Sequence, residues 1–187
     1  LKSHENSSEI IKLDLIDFVI DKVKFILKKQ CFRDDIIESV ISLKESKNYL
    51  FPILYERVNC LNDIKDTDNF KNFLVNFKRL NNIIKSNKLL DISNVKLNTH
   101  LFESSEEQEI YDKSKNLDIN LKKYLTDLEH QGIILKEVIN LHYVIHSFFE
   151  KIIVNHEDNK IKVNRIKLLT ELTERLLKFS NFHYIEN

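Results

Sequence analysis

The stretch FFEKIIV at residues 148–154 leads into HED at residues 156–158, and NRIKLL follows at residues 164–169. The first stretch is typical of the apolar end of a helix, and the last is typical of a helix start. The acidic residues between them indicate a turn. We therefore predict two helices, Leu135–Val154 and Ile161–Phe179, that are separated by a polar turn over Asn155–Asn159.

The last helix carries two further predictions. Asn164 and Arg165 open it, and Asn164 is a favourable residue type for an N-terminal cap. The leucine spacing of this helix predicts which of its side chains face the core. These are Leu169, Leu172 and Leu176.

Composition extends the helical prediction to the whole chain. Its 187 residues include one glycine and one proline, the two residue types that most often interrupt helices. We predict an all-α fold, a single domain over residues 1–187 with about seven or eight helices and an internal loop over 87–103. The other predicted helices are Glu9–Lys29, Asp34–Leu43, Pro52–Ile64, one capped by Asp66 or Thr67 that runs to Ile84, and one capped by Ser104 that runs to Leu128.

The first helix has an unusually wide apolar stripe. Ile16, Ile20, Val23 and Leu27 follow helical spacing, and a second set of apolar side chains widens the stripe. We therefore expect this helix to be buried on more than one side. The widening residues are Phe18, Phe25 and Ile26. The polar residues 1–7 are expected to be frayed. Because the chain begins at Leu1 rather than Met, we expect a fragment of a longer polypeptide that ends at Asn187.

Charge and cysteine content narrow the function classes. Lys and Arg total 29 and Asp and Glu total 29, so nucleic-acid binding would require a local basic face. Cys31 and Cys60 have no metal-like or redox spacing and are expected to be buried small hydrophobic residues. No apolar run is long enough to span a membrane, and no signal peptide opens the chain, so the expected compartment is the cytosol.

Three blocks in order resemble the β subunit of the bacterial tetrameric type of glycyl-tRNA synthetase. FRDDIIESV at 32–40 resembles the family's Y-R-x-D-x-I-x-A-V, and FKRLNNI at 77–83 contains its K-R-x-x-N-I. The block at 148–169 resembles F-F-D-x-V-x-V-x-x-E-D followed by N-R-L-x-L-L. Smaller matches are R-V at 57–58 and L-F-E at 101–103 followed by Glu107.

The resemblance implies a function for this region. In that family it is the C-terminal anticodon-binding domain, a helical DALR-like domain shared with arginyl-tRNA synthetases. The expected partners are tRNA-Gly and, through the full-length chain, the α subunit, which carries out glycylation with ATP and Mg. No cofactor and no catalytic residue are expected in this region itself. Four residues depart from the family pattern: Cys31 replaces Gly, Lys162 replaces Arg, and Asn181 and His183 replace the two ends of D-x-S.

The candidate tRNA-binding residues are Lys78, Arg79, Asn82, Lys85, Lys162 and Arg165. Lys78 and Lys85 are seven positions apart and share a helix face, and cations beside amides suit phosphate and base contacts. A structural role is the alternative for each. Arg79 or Asn82 would hold neighbouring helices together by buried hydrogen bonds. Arg165 would pair with Glu157 or Asp158, and we favour this structural role for Arg165 because the acidic turn is so close in the sequence. A second basic cluster, Lys22, Lys24, Lys28, Lys29 and Arg33, is expected to be solvated surface.

Metal and catalytic sites are not expected. His142 and His146 are spaced to share a metal, but Tyr143 stands where a zinc protease helix needs Glu, and a third ligand is missing. The acidic pairs Asp34-Asp35, Glu106-Glu107 and Glu157-Asp158 consist of neighbouring residues, whose side chains diverge on a helix. A single glycine also rules out a glycine-rich phosphate loop.

Two other functions stay open from the sequence. One is a non-catalytic all-α protein-interaction domain, which the zero net charge fits. The other is the equivalent domain of an arginyl-tRNA synthetase, against which the E-D and N-R-L-x-L-L pattern argues.

Overall fold

The computed structural model describes residues 2–43, 51–90 and 92–186, with residues 2–14 described for their backbone only. These residues form seven α-helices and two short 3-10 turns, and they contain no strand, which confirms the all-α prediction. The helices are α1 (Lys2–Lys29), α2 (Asp34–Ile41), α3 (Phe51–Ile64), α4 (Asp68–Ser86), α5 (Ser105–Tyr124), α6 (Gln131–Lys151) and α7 (Asn159–Phe179).

The core lies between the long helices. α6 packs against α3, α4 and α5, α7 packs against α4 and α5, and α2 lies between α1 and α3. Leu169, Leu172 and Leu176 are fully buried, which confirms the predicted inner face of α7. Three phenylalanines of α4, Phe70, Phe73 and Phe77, are also buried.

Side-chain oxygens cap the N-termini of α4, α5 and α7. Thr67 Oγ1 accepts from the backbone N–H of Phe70, and Ser104 Oγ accepts from that of Glu107, as predicted. The last helix differs from the prediction, because its cap is Asp158, whose side chain accepts from Lys160 N–H. Asn164 lies inside α7, so its assignment as the cap was wrong. The helix therefore begins at Asn159, two residues before the predicted start at Ile161, because the Asp158 cap precedes it.

Arginine side chains reach the C-terminal ends of three helices. Arg57 Nη1 donates to the Phe179 carbonyl at the end of α7, and Arg57 Nη2 donates to the Leu125 carbonyl after α5. Arg79 donates to the Phe149 carbonyl in the last turn of α6, and Arg165 donates to the Ile153 carbonyl just beyond it. The last four carbonyls of a helix have no partner within the helix, and positive charge there is favourable. These arginines therefore supply hydrogen bonds that the helices lack.

α1 ends at a left-handed residue. Cys31 has a φ of 62°, and the N–H groups of Cys31 and Phe32 donate to the carbonyls of Lys28 and Leu27. This pattern is a Schellman motif, in which the left-handed position is usually glycine. Cys31 is exposed, so the expectation that it is buried was wrong. Cys60 is half-buried, and burial together with Glu56 raises the pKa of its thiol to about 12.

Two expectations for α1 were wrong. The helix already covers Lys2–Ser8, a stretch without glycine or proline, where we expected a frayed end; Leu1 lies outside the described residues. Val23 and Leu27 are buried, but Phe18 is 57% exposed, Phe25 55% and Ile26 43%. The described residues therefore bury one side of α1 and leave its other apolar side uncovered.

We predict that Cys31→Gly stabilises the protein. A side chain in the left-handed region costs about 1–2 kcal/mol, and glycine removes this cost. Glycine also gives the unfolded chain more conformational freedom, which favours unfolding, so the expected net increase in the free energy of unfolding is about 0.5–1 kcal/mol. Urea unfolding of Cys31→Gly and of the control Cys31→Ala measures it. A Gly variant less stable than the Ala variant would contradict this explanation.

Candidate nucleic-acid interface

One outward face of α4 carries three lysines. Lys71, Lys78 and Lys85 are spaced seven residues apart, and all three are exposed. Because an α-helix has 3.6 residues per turn, this spacing places them on nearly the same side. The one acidic residue of α4 is Asp68, three positions before Lys71, so Lys78 and Lys85 have no carboxylate within one turn of their own helix. A row of exposed cations of this kind is suited to binding phosphates.

Asn82 lies on the lysine face. Its side chain is exposed, so the alternative in which Asn82 pins neighbouring helices is wrong. The next residue toward the N-terminus, Asn81, is buried, and its Nδ2 donates to the Phe77 carbonyl at 2.8 Å. Lys78, Asn82 and Lys85 are therefore brought together, as the sequence predicted for cations beside an amide.

The chain end packs beside Lys85. Phe182 is buried, and its ring centre lies 4.9 Å from that of Phe73 and 5.6 Å from that of Phe77. The next ring, His183, lies 5.1 Å from Phe77. Partial burial lowers the pKa of His183, and the nearby positive charge of Lys85 lowers it further. An uncharged imidazole therefore adjoins Lys85.

Tyr184 adds a second exposed ring to this chain end. Its side chain is 47% exposed. The turn that holds it is formed by Asn181, whose Oδ1 accepts from the His183 N–H and whose own N–H donates to the Ser39 carbonyl. The two departures from the family pattern, Asn181 and His183, therefore build an intact turn.

Arg79 connects α4 with α6. Its guanidinium lies 4.5 Å from the centre of the Phe149 ring, donates to the Phe149 carbonyl at 3.3 Å and lies 3.8 Å from Glu150. The side chain remains 47% exposed. These contacts support the pinning alternative for Arg79.

Arg165 is buried in an ion-pair cluster. Its Nε donates to Glu107 Oε1 at 2.9 Å, and its Nη2 donates to Glu103 Oε2 at 2.8 Å. The expected pairing with Glu157 or Asp158 was wrong, because Arg165 lies beyond the first turn of α7 and faces the start of α5 rather than the acidic turn. All three guanidinium nitrogens have protein acceptors, which gives Arg165 a structural role in this conformation.

Asn164 and Lys162 lie beside this cluster. The Asn164 side chain accepts from the Asn98 N–H and donates to the Asn98 carbonyl, so it fixes the segment between α4 and α5 against α7. Lys162 is partly exposed in the first turn of α7. It belongs to a different element from the lysine face.

Carboxylates neutralise much of the basic cluster on α1. Lys24 pairs with Glu38 at 2.9 Å, Lys28 with Asp34 at 3.1 Å, and Arg33 pairs with Asp35. Lys22 and Lys29 lie over the rings of Phe18 and Phe25. The α1 cluster therefore offers fewer unneutralised cations than the α4 face.

The two histidines of α6 differ in exposure. His142 is 5% exposed, and burial lowers the pKa of its imidazole, as does the neighbouring His146, which is exposed. Among the described side chains, no three His, Cys, Asp or Glu residues are grouped so that they could hold a metal ion. Within the same part of the chain, no helix is long and apolar enough to cross a bilayer.

Three residues at the lysine face and the adjoining chain end were not among the candidates from the sequence, namely Lys71, His183 and Tyr184. Lys71 could have been found, since it continues the seven-residue spacing of Lys78 and Lys85. His183 and Tyr184 could not, because their position depends on the packing of Phe182 against α4, more than 100 residues away in the chain.

Comparison with known proteins identifies related sequences. The pattern that defines the DALR anticodon binding domain family matches residues 73–180, which include most of α4 and all of α5–α7. The chain is also similar to glycine–tRNA ligase beta subunits. That of Buchnera aphidicola subsp. Schizaphis graminum is 27% identical over 94% of this chain and 24% of its own length. That of Sulfurihydrogenibium sp. is 28% identical over 90% and 24%. The chain thus spans about a quarter of the length of these curated relatives.

We predict that Arg165→Met destabilises the protein by about 3–5 kcal/mol, because it leaves the fully buried Glu107 without its ion-pair partner. The partly exposed Lys162 provides the control, and Lys162→Met is expected to change stability by about 0.5 kcal/mol or less. Urea unfolding measures both. A loss below about 1 kcal/mol for Arg165→Met would contradict the structural role of the guanidinium.

Proposed function

The chain belongs to the DALR anticodon binding domain family, and we propose on this basis that it binds tRNA as the anticodon-binding domain of a glycine–tRNA ligase β subunit. The observation that carries the proposal is the lysine face of α4, most of which lies inside the matched region. Bulk charge gives no support, since the formal net charge is zero. Binding therefore depends on this local face.

The lysine face supplies backbone contacts. At 1.5 Å per residue, Lys71 and Lys85 are separated by about 21 Å along the helix axis. Lysine is a flexible point charge suited to phosphate oxygens, and such contacts position a nucleic acid without reading its sequence. In this proposal, Lys71, Lys78 and Lys85 hold the tRNA backbone, and the exposed Asn82 amide contacts a base or a sugar.

The chain end supplies a stacking surface. Unpaired RNA bases stack on exposed aromatic side chains, and the anticodon is a single-stranded loop. His183 adjoins Lys85 at the end of the lysine face, and the exposed Tyr184 follows it directly in the chain. We assign Tyr184 the stacking role because its ring is large and exposed.

The wider role follows from the relatives. We propose that this domain positions tRNA-Gly for glycylation at a separate α subunit, where ATP and Mg are used, and that the complex acts in the cytosol. The domain itself carries no catalytic group in this proposal. The domain would bind the tRNA substrate but would not take part in the reaction.

We predict that Lys78→Ala and Lys85→Ala each weaken binding of tRNA-Gly. Because phosphate contacts release counterions, each variant should lower the magnitude of the log–log salt slope by about one unit. The measurement is affinity across a salt series, with folding checked by circular dichroism. Lys136→Ala, an exposed lysine on α6, serves as the matched control. Unchanged affinity and salt slope in both α4 variants would exclude the lysine face as the tRNA-binding surface.

We also predict that Tyr184→Ala weakens binding of the anticodon stem-loop by about 1–3 kcal/mol, the usual value of one stacked base. The salt slope should stay unchanged, because no phosphate contact is lost. Tyr143, which is 58% exposed on α6, provides the control variant Tyr143→Ala. Equal affinities for the two variants would remove Tyr184 from the binding surface.

A further inference from the structure

One side of α1 is apolar and uncovered by the described residues. Its exposed side chains are Leu15 at 61%, Phe18 at 57%, Val19 at 50%, Phe25 at 55% and Ile26 at 43%. At about 100° of rotation per residue, they occupy a sector about 120° wide. We name these five residues the α1 face. Contiguous apolar surface of this kind on a helix indicates a site of interaction.

The α1 face continues into an apolar groove. The groove has a volume of about 390 Å³, and its lining consists of Ile26, Phe51, Pro52, Tyr55 and Leu128 together with the polar side chains of Gln30 and Glu56. Phe51 is 40% exposed and Leu128 47%. Exposed apolar side chains from α1, α3 and the turn before α6 therefore converge on one surface.

Two cations lie within the same sector. Lys22 lies 5.1 Å from the centre of the Phe18 ring, and Lys29 lies 4.7 Å from that of Phe25. A complementary partner would place apolar side chains against the sector and carboxylates near these two ammonium groups. Three of the five exposed side chains are aliphatic and offer no π-face for a base, which favours a protein partner over RNA.

The related sequences indicate which protein would cover the α1 face. The DALR family pattern begins at Phe73 and therefore excludes α1. By contrast, the glycine–tRNA ligase beta subunit of Buchnera aphidicola subsp. Acyrthosiphon pisum aligns with 99% of this chain, which includes α1, while the chain covers 26% of that relative. α1 is thus shared with long β subunits and lies outside the pattern that defines the domain family.

We propose that the α1 face and its groove dock against the remaining part of a glycine–tRNA ligase β-subunit polypeptide, an intramolecular domain interface. This inference rests on the proposed function, because that function supplies the longer polypeptide. The interface would hold the lysine face at a fixed position relative to the rest of the subunit.

Hydrogen exchange of the peptide that covers residues 15–27 tests the proposal. It is measured in the 187-residue chain and in the full-length β-subunit polypeptide that contains it. We expect exchange to be slower by about tenfold or more in the full-length protein, because docking suppresses local opening of α1. The double substitution Phe18→Lys with Phe25→Lys should restore fast exchange there. The control Ile119→Lys changes an exposed residue of α5 and should leave exchange slow.

Three results would overturn the proposal. Equal exchange in the two proteins would mean that the rest of the subunit does not cover α1. Protection that appears in the 187-residue chain as its concentration rises would assign the face to a second copy. Protection that appears only after tRNA-Gly is added would assign it to RNA.

The proposed function is tested separately on the same proteins. The 187-residue chain with both lysine substitutions on α1 should retain wild-type affinity for tRNA-Gly, since neither residue belongs to the lysine face. If none of these proteins bound tRNA-Gly while α1 was still protected in the full-length subunit, the proposed function would be rejected and the interface would be retained. Wild-type tRNA binding with α1 unprotected would reject the interface alone.

Discussion

The fold depends on how helix C-termini are completed in a chain with one glycine, which itself lies inside α6. Most proteins satisfy part of the terminal carbonyls with a left-handed glycine. Here arginines take that role at three helix ends, the buried Arg57 and Arg165 and the partly exposed Arg79. Arg57 is the clearest case: it is fully buried, hydrogen-bonded to Gln131 Oε1 and to the Phe179 and Leu125 carbonyls, and packed 4.9 Å from the Phe179 ring. A planar fork of donors can serve several carbonyls at once, which lysine cannot do.

This constraint separates the basic residues by function. Arg57, Arg79 and Arg165 are held by backbone carbonyls and carboxylates within the protein, whereas Lys71, Lys78 and Lys85 extend into solvent. The positively charged surface is therefore made of lysines on one helix. Such a surface holds a phosphate backbone without strong geometric selection, so discrimination between RNAs would come from the amide and the aromatic rings beside it.

The helices and most caps were predictable because periodicity and capping are local properties of sequence. The inner leucines of α7 followed from their spacing, and the Ser104 cap followed from a serine placed before acidic residues. Contacts across the chain were not predictable. Glu107 is 58 residues from Arg165, while Glu157 was the nearer acid, so proximity in sequence suggested the wrong partner. The pattern of α1 showed which side chains are apolar but not what covers them, and the left-handed Cys31 was visible only as a departure from an expected glycine.

The structural unit is larger than the region that defines the family. Residues 73–180 contain most of α4 and all of α5–α7, but the same hydrophobic core includes Leu27 of α1, Ile37 of α2 and Leu61 of α3. Arg57 of α3 also completes the ends of α5 and α7. Loss of the Arg57 side chain would leave the Phe179 carbonyl without this donor, at a cost of about 1–3 kcal/mol if the carbonyl stays buried. The lysine face therefore depends on helices outside the matched region, since α4 packs against α6 and α7, and α3 contacts α6 and holds the end of α7.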